Sequence, residues 1–255
     1  LTIEIKNLNF SYSKKEILKN INLKFSNGSI TSILGPNGIG KSTLLKLISG
    51  KEKPIVGEVL IDGTNVLSIK KKDLAKKIAY IGQLNSSTFE FLVLDVVLMG
   101  RTSSMGYFGT PKIKDKEIAL KYLEEMNILH LKDKYYNHLS GGEQQLVLIT
   151  AALCQESEFI ILDEPTSHLD FGKGYKFIEK LKDLSTERKK GIIFTTHYPD
   201  HVLQVGGNCV ILSDKNIEVS GNTQDVLNDE ILSKIYNIPI RKVNLGYTET
   251  CVVVE

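Results

Sequence analysis

The segment Gly35-Pro36-Asn37-Gly38-Ile39-Gly40-Lys41-Ser42-Thr43 fits the pattern G-x-x-x-x-G-K-[ST], whose chemistry is the holding of phosphate. Its glycines let the backbone curl until successive N–H groups point inward at phosphate oxygens. Lys41 adds a mobile positive charge for the β- and γ-phosphates of a nucleotide, and Ser42 offers a hydroxyl to Mg²⁺. A second chemical segment is Phe159-Ile160-Ile161-Leu162-Asp163-Glu164, four apolar residues followed by two carboxylates. Asp163 fits the holding of a metal through water, and Glu164 fits a general base that polarises an attacking water. Alone, such a pair reads equally as the exposed end of a strand; beside a phosphate loop it reads as catalytic. A third segment is Leu139-Ser140-Gly141-Gly142-Glu143-Gln144-Gln145. A serine ahead of two glycines opens a helix and leaves several N–H groups free for an anion. One chain thus carries two phosphate-binding ends, far apart in sequence.

Strands and helices must present these groups. Residues 29–34 form a short apolar strand that runs into the glycines. Residues 42–49 follow as a helix, with Leu44, Leu45, Leu47 and Ile48 inward and Gly50 as its stop. Residues 159–162 and 192–195 are continuous apolar runs, as in a parallel sheet covered on both faces. Such strands deliver Asp163, Glu164 and His197 to the carboxyl edge, where open α/β sheets bind ligands. Alternation at Leu1, Ile3 and Ile5, and again at Ile21, Leu23 and Phe25, predicts half-buried strands of an antiparallel sheet. Residues 59–61 with Asp62-Gly63 read as strand and turn, and residues 78–82 as a strand. From about residue 85 to 155 the β signal fades. Helical spacing over 114–127, through Ile118, Leu120, Leu123 and Met126, and over 144–153 predicts an α-helical subdomain inserted into the α/β core. Residues 210–212 and 217–219 flank Ser213-Asp214-Lys215-Asn216, a hairpin turn in which Asn216 can take positive φ.

Taken in this order, the phosphate loop, the serine–glycine segment and the acidic strand end resemble the ATP-binding-cassette (ABC) proteins. The resemblance runs from about residue 1 to 239. It implies a P-loop NTPase core with a mixed sheet, an N-terminal antiparallel β subdomain and an inserted helical subdomain. Residues 240–255 remain a tail without an assigned role. Further residues match family positions. Tyr12 stands where the family carries an aromatic that stacks on adenine. Gln83 is similar to the glutamine that contacts Mg²⁺ and the attacking water. Ser167-His168-Leu169-Asp170 resembles the loop that crosses the dimer interface, and His197 the histidine that contacts the γ-phosphate. The resemblance implies a head-to-tail dimer, in which Ser140, Gly141, Gly142 and Glu143 of one copy meet the ATP held by the phosphate loop of the other. Three departures remove no catalytic group: Ile39 replaces a small residue, Gln144 stands where arginine is common, and Gly206-Gly207 replace bulkier residues.

The activity implied is hydrolysis of ATP to ADP and phosphate, coupled to transport, with ATP and Mg²⁺ as cofactors. The implied partners are a second copy, two integral-membrane permease subunits and, indirectly, a substrate-binding protein, with no nucleic acid. Leu98-Met99-Gly100-Arg101 through Tyr107-Phe108-Gly109-Thr110-Pro111, and Thr166 through Gly172, resemble the ATPases of importers for metal chelates (siderophore, haem, cobalamin). Importers of oxyanions such as molybdate and tungstate share this type. Residues 93–107 are the expected dock for a permease helix. Two alternatives stay open: an exporter subunit, and a soluble ABC ATPase acting on nucleic acid or ribosomes. The soluble kind tends to carry a coiled-coil insertion or tandem cassettes, and neither is visible here.

Composition narrows the rest. A chain of 255 residues, 42% hydrophobic and 24% charged, can bury a core without disulfides or metals. A net charge of +2 argues against a dedicated nucleic-acid binder. Cys154, Cys209 and Cys251 are scattered and form no CxxC pair, so they read as small buried side chains. No apolar run reaches membrane-spanning length, and the first ten residues alternate like a strand rather than a signal peptide. The expectation is a peripheral protein at the cytoplasmic face of the cell membrane. Lys70, Lys71, Lys72, Lys76 and Lys77 read as a solvated helix face, with anionic lipid as the alternative contact. His130, His138 and His201 read as structural.

Overall fold

The computed structural model describes residues 1–82, 90–105, 109–246 and 248–254. Strands β1 (Thr2–Tyr12) and β2 (Lys15–Ser26) pair antiparallel. Alternation, shifted by register irregularities between Ile5 and Phe10, turns Ile3, Ile5, Leu8 and Phe10, with Leu18, Ile21 and Phe25, into the core, while Leu23 is only half-buried. β3 (Ile30–Leu34) is buried at every residue and leads through the glycine loop into α1 (Lys41–Ile48). β4 (Val56–Ile61) begins before its predicted start at residue 59, and a turn at Asp62-Gly63 joins it to the short β5 (Thr64–Asn65). These complete a four-stranded sheet in the order β2-β1-β4-β5.

Next, α2 (Lys71–Lys77) carries most of the lysine run and buries none of its residues; Lys76 pairs with Asp73 and Lys77 with Asp62. β6 (Ile78–Ile81) follows. Then come α3 (Val93–Met99), α4 (Ile113–Glu125) and α5 (Gly141–Cys154), which pack on one another through Val97, Ala119, Leu123 and Val147. α4 stops short of its predicted end because Asn127 takes a left-handed φ of 58°. β7 (Phe159–Leu162), α6 (Phe171–Arg188), β8 (Gly191–Thr196), α7 (Pro199–Val205), β9 (Asn208–Ser213) and β10 (Asn216–Asn222) complete the core. The turn between β9 and β10 corrects an expectation. Asp214 (φ 42°) and Lys215 (φ 69°) hold the positive dihedrals, and Asn216 already belongs to the strand. Two consecutive left-handed residues are what a two-residue hairpin turn requires.

The second sheet runs β10-β9-β3-β8-β7-β6, with β9, β3, β8, β7 and β6 parallel and β10 antiparallel at one edge. β3, β7 and β8 are buried throughout, as their unbroken apolar runs predict. One face of this sheet meets α1 and the four-stranded sheet through Leu44, Leu45, Leu47 and Ile48. Each such side chain contributes about 1.5–3 kcal/mol by leaving water. The other face packs on α5 and on Phe177, Ile178 and Leu181 of α6. Past β10 lie α8 (Thr223–Val226), α9 (Asp229–Tyr236) and a hairpin of β11 (Ile240–Asn244) with β12 (Glu249–Val253). The stretch without a predicted role thus contributes the two strands of this hairpin, anchored by buried Ile240.

Candidate active site

Strand order puts the chemistry together. β3 lies beside β8, and β8 beside β7, all parallel, so their carboxyl ends sit side by side. The loop of residues 35–40 leaves β3, Asp163 and Glu164 leave β7, and His197 leaves β8. Gly38 (φ 80°) and Gly40 (φ 111°) carry the dihedrals that curl the loop, and Gly40 caps α1.

Lys41 is only 4% exposed, and its Nζ donates to the carbonyls of Gly35 (2.8 Å) and Pro36 (3.0 Å). Burial holds its ammonium below the ordinary 10.5, with Glu164 and Asp163 pulling the other way. Ser42 donates its hydroxyl to Asp163 Oδ1 at 2.9 Å, and Thr195 donates to the same oxygen at 2.8 Å. Glu164 Oε1 lies 3.4 Å from Lys41 Nζ and 3.6 Å from His197 Nδ1. That ring nitrogen is buried and has no hydrogen-bond partner among the described residues. Lys41, Ser42, Asp163, Glu164 and His197 are thus gathered in one place, as their types predicted.

The donor set suits Mg²⁺. Ser42 Oγ and Asp163 Oδ1 are hard oxygens already converged, and Mg²⁺ takes one or two protein oxygens with phosphate and water completing its shell. Among the described residues no three His, Cys, Asp or Glu side chains form a cage that would hold a metal by themselves. Gln83, the other expected metal and water contact, lies outside the described residues, as do Tyr107 and Phe108 of the expected permease dock. Thr43 is buried in α1. Tyr12 closes β1 with its ring 42% exposed, edge-on to Phe10, and its hydroxyl 3.5 Å from Glu52.

The serine–glycine segment forms a separate cluster. Ser140 caps α5: its backbone N–H (2.9 Å) and hydroxyl (2.7 Å) both donate to Glu143 Oε2, and its oxygen faces the Glu143 N–H at 3.4 Å. Side chains on Gly141 and Gly142 would press on His168 and Leu169 of the neighbouring loop. That loop ends at Asp170, whose Oδ1 accepts from Lys173 N–H and caps α6. No hydrogen bond or ion pair among the described residues joins residues 140–143 to the Lys41 cluster.

Two residues escape motif reasoning. Thr195 links Asp163 and Glu164, its hydroxyl accepting the Glu164 N–H at 2.8 Å. Its only sequence signal is a hydroxyl two residues ahead of a strand-end histidine. His201 Nδ1 lies 3.2 Å from Thr196 Oγ1 and 3.4 Å from Thr166 Oγ1, bridging the loops after β8 and β7.

Known proteins resemble this chain over nearly its whole length. A family model described as "ABC transporter" matches residues 18–167. A probable iron chelatin transport ATP-binding protein of Helicobacter pylori is 37% identical over 95% of this chain and 96% of its own. A molybdate import ATP-binding protein of Haemophilus influenzae is 33% identical over 97% of this chain and 93% of its own. Among solved structures, a transporter assigned to the metal-chelate ABC type, caught inward-facing, superposes with a TM-score of 0.88 at 31% identity, covering 100% of this chain and 98% of that one. A dimeric ATP-binding cassette holding ADP and phosphate after hydrolysis gives a TM-score of 0.74 at 29% identity, covering 87% and 98%.

Proposed function

The chain belongs to the ABC transporter family of ATP-binding proteins, and from that membership we propose that it uses the Lys41–Glu164–His197 cluster to power import of a metal chelate. Proteins of this family bind ATP and hydrolyse it to drive transport; their cassettes form dimers and work with membrane permease subunits. One observation carries the site assignment: a single carboxylate, Glu164, stands within 3.4 Å of Lys41 Nζ and 3.6 Å of His197 Nδ1.

Each residue then has a role. The loop N–H groups and Lys41 hold the β- and γ-phosphates. Glu164 orients a water in line with the γ-phosphate and takes its proton. His197, with Ser140 and its glycines from a second copy, offsets charge on the γ-phosphoryl group as it passes from ADP to water. Ser42, Asp163 and Gln83 would hold Mg²⁺, which supplies charge neutralisation at the phosphates. Tyr12 stacks on adenine. Residues 1–239 act as the ATPase domain, with helices from about 85 to 155 passing its closure to two permease subunits. Among the described residues no helix is long and apolar enough to cross a membrane. Family membership supports its working as a peripheral subunit docked to a permease at the cytoplasmic face. The two curated relatives and the inward-facing structure above carry transport names, and nothing among them supports the nucleic-acid reading.

The molybdate relative keeps an oxyanion cargo as the second reading. The experiment is to tag Glu164→Gln, load it with ATP in native membranes and identify what co-purifies. A polytopic permease with a substrate-binding protein is expected, and that protein's ligand separates chelate from oxyanion. Soluble or ribosomal partners alone would keep the ATPase chemistry and sink the transport assignment.

A further inference from the structure

We propose that the C-terminal unit, α9 with the β11–β12 hairpin, is a positioning device for His197, and that Tyr236 is its point of contact. The inference rests on the reading of His197 as the γ-phosphate contact. Tyr236, the last residue of α9, donates its hydroxyl to the backbone carbonyl of His197 at 2.8 Å. Among the described residues no hydrogen bond holds the buried Nδ1 of the histidine ring, which rests against the Tyr198 ring (centroids 4.0 Å apart) with Glu164 3.6 Å away. The position of the ring therefore depends on the backbone that carries both rings, and residue 197 is where the chain leaves β8 and turns into α7.

The far side of that turn is held by the same unit. Asp200, in the first turn of α7, accepts at Oδ1 from the Cys251 N–H (2.8 Å) and the Thr250 hydroxyl (3.1 Å) of β12. The hairpin is tied in turn to α9: Asp229 accepts from the Lys242 N–H at 2.7 Å, and Ser233 Oγ accepts from the Ile240 N–H at 2.9 Å. Beneath them Leu232, Ile235 and Ile240 share a buried cluster with Val202 and Leu203 of α7 and Leu34 of β3. The near side is fixed by β8, where Thr196 Oγ1 accepts the Tyr198 N–H at 3.0 Å. The histidine carbonyl thus lies between a strand end and a clamp made by α9 and the strands β11 and β12, and Tyr236 supplies the bond from the clamp. Burial raises the Tyr236 phenol above its ordinary value of 10.0, so it stays a donor at any pH at which the protein works.

The test uses the purified full-length chain and follows phosphate release against ATP concentration, with a thermal melt for each variant. Tyr236→Phe keeps the ring and removes only the hydroxyl; Asp200→Ala, at an exposed position, loosens the hairpin from α7. Tyr236→Phe is expected to lower kcat about tenfold with KM for ATP within about twofold and the melt unchanged. Asp200→Ala is expected to show a smaller loss of the same kind, about threefold. Wild-type kcat in Tyr236→Phe, alongside an inactive His197→Ala, overturns the inference and leaves the proposed function standing. If Tyr236→Phe melts early, an unchanged kcat in Asp200→Ala overturns it instead. Full activity in His197→Ala removes the γ-phosphate role itself.

Discussion

The backbone N–H of Glu164 donates to the hydroxyl of Thr195 at 2.8 Å, while the glutamate holds φ at +47°. A non-glycine residue in the left-handed region costs about 1–3 kcal/mol and persists only where its surroundings over-determine it. Here the surroundings are β8: Thr195 is fully buried, and its hydroxyl also donates to Asp163 Oδ1 at 2.8 Å. One side chain thereby fixes both Asp163 and Glu164.

Thr195→Val keeps the branched shape and deletes both bonds. It should lower kcat by about 10–100-fold with KM for ATP little changed, since misplacing a catalytic group by about 1 Å can cost a hundredfold. Thr195→Ser retains the hydroxyl and should recover most of the rate. Steady-state phosphate release measures this, and wild-type turnover in the valine variant would show that strand pairing alone holds Glu164.

Glu164→Gln removes the proton acceptor but keeps the shape and the backbone bond to Thr195. Its kcat should fall by about 10²–10⁴-fold, the usual worth of a general base, with ATP binding intact. Gel filtration with ATP should then show a dimer that outlives that of the wild type. A strictly monomeric variant at saturating ATP would count against closure around the nucleotide.

How much of this was legible before the coordinates depended on whether a residue's partner was local. The phosphate loop, the runs at β7 and β8 and the Ser140 cap are local patterns, and each lies where its pattern predicts. Thr195 and Tyr236 bond to residues 31 and 39 positions away, and neither position is marked by a local motif. α6 is absent from the elements the pattern predicts, although Phe177, Ile178, Leu181 and Leu184 have helical spacing. Gly172 and Gly174 in its first turn resemble loop, and tertiary burial overrides that weak propensity. The β11–β12 hairpin is legible only through what it packs on.

Arg101 shows the same limit. Its segment marks a resemblance in sequence; in the fold its guanidinium is buried and donates to the Cys154 carbonyl (2.6 Å), Glu156 (2.6 Å) and Asp115 (3.2 Å). It joins the ends of α3, α4 and α5. Arg101→Met keeps the stem and leaves those acceptors unpaired, so Tm at neutral pH should drop by about 5 °C or more. The pH dependence has a definite sign. The Lys112 N–H, and then Arg101, hold the Asp115 carboxyl below its ordinary 3.8. That contribution is complete above pH 3.8 and is lost as pH falls through the folded value. The Tm gap between wild type and Arg101→Met should therefore narrow in acid; a gap that stays constant or widens would show that pairing with the Asp115 carboxylate does not supply it.

The separation of Ser140 from Lys41 within one copy makes the strongest demand on assembly. Ser140 caps α5 against the loop that ends at Asp170, and Lys41 belongs to the β3–α1 turn, with no bond between the two clusters among the described residues. If each ATP needs the loop of one copy and the signature of another, Lys41→Ala and Ser140→Arg each inactivate both sites of a homodimer. Mixed, they behave differently. A heterodimer pairs the intact loop of the Ser140→Arg copy with the intact signature of the Lys41→Ala copy, which restores one site and leaves its other site doubly damaged. Random two-fold pairing makes about half the dimers mixed, so a mixture of two inactive proteins should reach up to about a quarter of the wild-type rate per subunit. The rate should rise with protein concentration as dimers form. A mixture as inactive as its components, with both variants folded and the Ser140→Arg copy still binding ATP, would mean that the signature does not act across the dimer.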